Sequence, residues 1–177
     1  MPRSIFALFK SKKTDDGKAG ALFDAALKQS LLPAFYADYG VPDTLDGRFD
    51  NLSLHLFLIM NPLTATKDGQ ALSQDIFDIA FRYMEKDLRE AGIGDMGVPK
   101  HMKRMMKGFN GRVHAYKAAL EGSDWDEALR HNLYGTVADI DAAALRGMVA
   151  YIKRNVKSLQ AQDLMEGRAR FAPPKGK

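Results

Sequence analysis

The sequence predicts an all-α fold, a single-domain irregular bundle of about six to eight helices. Two observations carry that expectation. Apolar residues recur every three or four positions in one segment after another, and no period-two alternation long enough for a strand competes with them. Glycine and proline together occupy only 22 of 177 positions and separate those segments rather than pervade them, while 46% hydrophobic content supplies one core. No internal repeat is present.

Residues 1–18 join a short apolar patch, Ile5, Phe6, Leu8 and Phe9, to a tract of Lys, Asp and Gly, and read as a flexible basic arm able to touch a membrane surface. A helical domain is expected over residues 19–166. Its first helix carries Leu22, Phe23, Ala26 and Leu27 and must end before Pro33, whose ring would clash with the preceding turn. A short helix follows from Phe35 to Tyr39, and Gly40, Pro42, Asp43 and Gly47 mark a loop. Phe49 to Met60 is apolar nearly all round, which predicts a central buried helix closed by Asn61 and Pro62. Thr64 to Gly69 reads as a surface loop, with Ser73 as the next N-cap, and Leu72, Ile76, Tyr83 and Leu88 give the helical spacing that ends near Gly92. A basic helix is expected over residues 99–120, bent at Gly108 and Gly111. Asp124 or Ser123 caps a further helix with Trp125, Leu129 and Leu133 inward. The last long helix carries Ile140, Leu145, Ile152, Val156 and Leu159, and residues 167–177 form an extended basic tail.

The absence of cysteine removes disulfides, thiolate catalysis and iron-sulfur ligation, and fits a reducing compartment. Leu52 to Met60 falls far short of the roughly 20 apolar residues that span a bilayer. Ile5 to Phe9 is too short for a signal-peptide core and runs straight into Lys10, Lys12 and Lys13. A cytoplasmic location is expected, with peripheral contact at the inner face of the cytoplasmic membrane as its extension.

The net charge of +4 hides strong segregation. Residues 1–18, 96–120 and 151–177 together hold 18 basic and 4 acidic side chains, whereas the remainder holds 8 basic and 18 acidic. The middle segment, Met96 to Leu120, carries six cations and no acid in 25 residues. On a helix, Met102, Met105 or Met106, Phe109, Val113, Tyr116 and Leu120 form one stripe, and Lys100, Lys103, Arg104, Lys107, Arg112 and Lys117 spread round the rest. Such a stripe either packs into the core beneath solvated charges or presents adaptable thioethers to an apolar partner. The expectation is a partner-binding helix, with Lys100, Lys103, Arg104, Lys107 and Arg112 as electrostatic contacts and Met102, Met105, Met106, Phe109 and Tyr116 as client contacts if exposed.

Other motifs have simpler readings. Gly92-Ile-Gly-Asp-Met-Gly97 matches G-x-G-x-x-G, yet a helix precedes it and basic residues follow, so it reads as a left-handed helix cap and a turn before Pro99. Asp43, Asp46 and Asp50 lack calcium-loop spacing and suit turns and caps. His55, inside the apolar run, is expected as a hydrogen-bonded core histidine, with a functional role as the alternative. His101, His114 and His131 have no metal-ligand spacing, and no serine sits in a nucleophile elbow. No enzyme activity, cofactor, metal or DNA partner is expected.

Gly40-Val-Pro-Asp-Thr44, Gly47-Arg-Phe-Asp50, Leu54-His-Leu-Phe57, Leu88-Arg-Glu90, Gly92-Ile-Gly-Asp95, Val98-Pro-Lys100-His-Met-Lys103, Gly111-Arg112 and Ala115-Tyr116 together resemble the ubiquinol-cytochrome c chaperone family in its bacterial form. The similarity runs from about Leu22 to the Phe171-Ala-Pro-Pro segment. It implies an all-α, non-enzymatic assembly factor that binds newly made cytochrome b on its way to ubiquinol-cytochrome c reductase. Mitochondrial members work with a small partner protein near the ribosomal exit, which implies a small protein partner, the ribosome or an anionic membrane surface as further contacts. Two departures stand out: the targeting and anchoring sequence of mitochondrial members is missing, and Asn110 precedes Gly111-Arg112 where the family pattern has tyrosine. The rival readings are a small quinone- or lipid-binding helical domain using His55, and a general RNA-binding protein. The second would bind with steep salt dependence, but interleaved aromatic platforms for base stacking are lacking.

Overall fold

The computed structural model describes residues 17–175. All but the last two residues of the expected N-terminal arm, and residues 176 and 177 of the tail, lie outside the described residues. Among those described there are seven α-helices and no strands: α1 (Gly17–Ser30), α2 (Pro33–Ala37), α3 (Leu45–Leu63), α4 (Lys67–Glu90), α5 (Val98–Leu120), α6 (Trp125–Asn132) and α7 (Ala142–Gln160), with a 3-10 turn at Leu164–Glu166.

α3 is the axis of the bundle. Residues from Phe49 to Ile59 are buried on every side, because α1, α4, α5 and α7 all pack on this one helix. Its start is fixed locally: the Thr44 hydroxyl accepts a hydrogen bond from the Gly47 amide at 3.1 Å. Gly47 has no room for a side chain, since a Cβ there would lie 2.0 Å from the Pro42 carbonyl oxygen. The loop bearing Pro42 thus folds directly over the first turn of α3.

α2 spans Pro33–Ala37 where Phe35 to Tyr39 was expected, and the junction of α3 and α4 differs as well. Pro62 lies inside the last turn of α3 instead of ending it, and α4 begins at Lys67, capped by Thr66, which accepts from the Gly69 amide at 3.0 Å. Ser73 is a buried residue within α4, not its cap. The polar stretch from Thr64 was misleading because Lys67, Asp68 and Gln70 are the exposed first turn of a helix. Gly69 serves close packing there: a Cβ would sit 2.1 Å from the Leu63 carbonyl oxygen.

The cap at Gly92 has the expected form. Gly92 is left-handed, its amide donates to the Arg89 carbonyl, and the Ile93 amide reaches back to Leu88, so the last carbonyls of α4 are satisfied. α5 then runs unbroken through Gly108 and Gly111. Asp124 caps α6 and Asp141 caps α7, while Ile140, expected within the last helix, precedes it and packs beneath Gly40. After the 3-10 turn, left-handed Gly167 redirects the chain, and residues 167–175 cross back over α7 and α1.

Candidate functional site

α5 sorts its side chains into distinct strips, and the sorting follows from what packs against each. Val98, Met105, Phe109, Tyr116 and Ala119 form the buried edge. Phe109 meets Phe77 and Phe81 of α4 at centroid distances of 5.5 and 5.9 Å, and Tyr116 meets Phe57 at 5.5 Å and stacks on Trp125 at 6.0 Å. Of the five expected client contacts, Met105, Phe109 and Tyr116 are therefore core. Met102 is half-buried, and Met106 is 42% exposed.

The expected cations divide as well. Lys100, Lys103, Arg104 and Lys107 share the solvent face, a strip about 10 Å long at 1.5 Å per residue. Arg104 lies 3.3 Å from Asp46 with both side chains more than half exposed, a pair that neutralises little; the three lysines have no carboxylate partner among the described residues. Arg112 is turned inward. It forms an ion pair with Asp50 of α3 at 2.5 Å, donates from Nε to the Asn132 carbonyl at 3.1 Å, and places its guanidinium 5.4 Å from the Phe49 ring centroid. Gly108 makes the room, since a Cβ there would lie 2.7 Å from an Arg112 nitrogen. Burial pushes the Asp50 carboxyl up to about 7 against the opposing pull of Arg112. The Arg112 side chain ties α5 to α3 and α6.

Beside the cationic strip, α3, α4 and α5 enclose an open groove of about 390 Å³. Phe57, Phe77 and Phe109 floor it, with Met60 and Val113 on its walls. The rim carries the amides of Asn61, Gln70, Gln74 and Asn110, and Lys117 stands at the α5 side; no carboxylate lines it. Met106 lies one turn from Asn110 on the same edge of α5, outside the groove lining and towards the helix N-terminus. An aromatic floor with a flexible thioether and neutral rim amides accepts an uncharged apolar segment and still offers it hydrogen bonds. The rim amides escaped sequence reasoning because they come from three helices. In the sequence Asn110 stands out only as a departure from the family pattern. Met96, 96% exposed in the turn before α5, is the other exposed large apolar residue among those described.

His55 belongs to a different region. It is fully buried, with Nδ1 2.7 Å from the Asn51 carbonyl and Nε2 2.9 Å from the Tyr151 hydroxyl. A carbonyl can only accept, so Nδ1 carries the proton, Tyr151 donates to Nε2, and Gln29 in turn donates to the Tyr151 oxygen at 3.0 Å. Burial lowers the His55 pKa to about 4, keeping the ring neutral. This chain joins α1, α3 and α7, and His55 lines none of the described cavities.

Comparison with known proteins gives two findings. The family model described as ubiquinol-cytochrome C chaperone matches residues 37–171, well over half of the chain. The crystal structure of the Cbp3 homolog from Brucella abortus superposes with a TM-score of 0.76 at 33% identity, covering 88% of each chain. The chain belongs to the ubiquinol-cytochrome c chaperone family. Its role is that of an assembly chaperone. No curated protein sequence matches it.

Within this chaperone, the matched region takes in α3 to α7 and therefore the groove, the cationic strip and the Arg112 anchor. It begins after α1, while the similarity to the Brucella structure covers 88% of the chain. No described helix is long and apolar enough to cross a membrane.

Proposed function

We propose that this chaperone acts without catalysis, holding newly made cytochrome b before its incorporation into ubiquinol-cytochrome c reductase. The observation that carries the reading is the adjacency on α5 of an open apolar groove and a strip of four exposed cations, of which only Arg104 has a carboxylate partner among the described residues. An apolar stretch of the client lies in the groove between α4 and α5, its side chains on Phe57, Phe77 and Val113. In this reading Lys100, Lys103, Arg104 and Lys107 face the anionic surface where the client emerges, ribosomal RNA or lipid headgroups, and the protein works in the cytoplasm and peripherally at the inner face of the cytoplasmic membrane. Met102 and Met106 border the two regions. A small partner protein is a further expected contact. The division of labour follows the chain: the basic arm of residues 1–18, the helical body of 19–166 and the basic tail of 167–177. None of the described cavities supports a quinone site at His55, whose ring is enclosed and has both nitrogens engaged.

The test is gene deletion followed by complementation, with assembled reductase quantified on native gels. Wild-type protein should restore the complex, Val113→Asp should restore little while melting as a folded protein, and Lys103→Glu with Lys107→Glu should restore an intermediate amount. Unchanged reductase in the deletion strain, under conditions that require it, would sink the chaperone reading. A photo-crosslinker at Asn110 that captures no cytochrome b would remove the groove from it.

A further inference from the structure

Residues 167–175 are held in an unusual way. Two side-chain amides, Asn155 on α7 and Gln162 just past its end, each grip the backbone of one tail residue at both its donor and its acceptor. The Gln162 Oε1 accepts from the Arg170 amide at 2.7 Å while its Nε2 donates to the Arg170 carbonyl at 2.8 Å. The Asn155 Oδ1 accepts from the Ala172 amide at 2.8 Å, and the Asn155 Nδ2 and the Gln29 Nε2 approach the Ala172 carbonyl, both at 3.4 Å. Arg170 and Ala172 are alternate residues, so both present the same edge of an extended chain to α7. The Tyr39 hydroxyl donates to the Lys175 carbonyl at 2.9 Å.

These contacts read main chain rather than side chain. Arg168, Arg170 and Lys175 are exposed, and the one large apolar side chain that enters, half-buried Phe171, sets its ring against His55 at 5.4 Å. Beside the tail, an open cleft of about 430 Å³ lies between α1, at Ala21, Asp24, Ala25 and Lys28, and the tail residues Ala169 and Phe171. The Asn155 Nδ2 also donates to the Tyr151 carbonyl of its own helix at 3.0 Å, which holds the amide in place for a backbone whichever chain supplies it.

From this arrangement we propose that the α1/α7 cleft is a binding site for an extended polypeptide, occupied at rest by the protein's own tail. Its exchangeable ligand is a segment of another chain with an aromatic residue followed by a small residue and proline, the pattern of Phe171-Ala-Pro-Pro174. The amides supply sequence-tolerant affinity by pairing with backbone, and the pocket for the aromatic ring sets the register. The site is separate from the α4/α5 groove and does not depend on it.

Two measurements test the proposal. In the intact protein, hydrogen exchange should show the Arg170 and Ala172 amides opening locally, at least about 100-fold less protected than Ile152 in α7 and insensitive to low denaturant. Protection equal to that of Ile152, lost only in global unfolding, would make the tail an integral part of the fold and overturn the proposal. Second, a fluorescent peptide of residues 167–175 should bind saturably to a chain ending at Glu166 that still melts cooperatively. It should bind at least about 10-fold more weakly to the full chain, whose tethered tail competes at an effective concentration on the order of millimolar. Equal binding to both, or no binding to the folded shortened chain, refutes the exchangeable site.

Discussion

Replacing Arg112 with methionine separates structural from recognition roles within the basic helix. Methionine keeps an apolar body over Phe49 but removes the charge-assisted bond to the Asn132 carbonyl, the partner of Asp50 and the cation above the ring. A hydrogen bond from a charged donor contributes about 1.5–3 kcal/mol and a partly exposed cation-π contact about 0.5–1 kcal/mol, so a loss of roughly 2–4 kcal/mol is expected at pH 7. The pH dependence identifies the source. Asp50 titrates near 7 in the folded protein and near the ordinary carboxylate value when unfolded, so the folded state holds the extra proton between those values and stability falls as pH rises through that window. Below pH 7 both proteins follow this fall in parallel. Above pH 7 the wild type levels off, while the variant, whose carboxyl has lost its guanidinium and titrates higher still, continues to lose about 1.4 kcal/mol per pH unit. Urea denaturation from pH 5 to 9 measures the gap directly. Curves that stay parallel up to pH 9, or a variant with wild-type stability that fails only in reductase assembly, would refute the anchoring role and return Arg112 to the binding surface.

Other expectations are more local. The His55 ring protons should show no titration until the pH falls well below the ordinary histidine value, with a midpoint near 4 by NMR, because burial keeps the folded ring neutral. The unfolded ring takes a proton near its ordinary value, so this residue's contribution to stability drains away as pH falls from about 6.5 to about 4. Thr66→Ala should cost about 1 kcal/mol in chemical denaturation through loss of the α4 cap, and its amides from Gly69 onward should exchange faster. If Thr66→Ala proves neutral, the assigned start of α4 is wrong. Gly111→Ala should stabilise the protein by about 0.5–1 kcal/mol, since the site is helical and open, whereas Gly47→Ala should be strongly destabilising because its Cβ collides with the backbone of Pro42. Thermal melts of the two variants that shift in the same direction would contradict this pairing.

The long helices and the cap at Gly92 could be read from the chain because helical periodicity and a left-handed glycine leave local signatures. The start of α4 could not, since an exposed helical turn bearing Lys67, Asp68 and Gln70 has the composition of a loop, and Gly69 is present for close packing against Leu63. The surface of α5 was legible in its composition but not in its orientation. Met105 and Met106 are neighbours in sequence, yet one is buried and the other exposed, a difference set by where α3 and α4 lie. Arg112 carries no local mark that separates it from Arg104; its distinction depends on an aspartate 62 positions away on another helix. The groove and the tail cleft are assembled from side-chain amides on separate elements, which no spacing rule detects.

The hydrogen-bond chain through His55 has a consequence for how the bundle finds one arrangement. A carbonyl that can only accept stands at one end and an amide nitrogen that can only donate at the other, so every proton between Gln29 and Asn51 has a single allowed position. Sliding α3 by one residue against α7 would rotate the ring by roughly 100° about the helix axis and part the buried His55 Nε2 from the Tyr151 hydroxyl, while the Nδ1 bond to Asn51, within α3, would move with the helix. Leucine and phenylalanine tolerate many near-equivalent interlocks, but this row of polar atoms does not. It works as a key between three otherwise greasy surfaces, discriminating against slipped packings that bury the same apolar area.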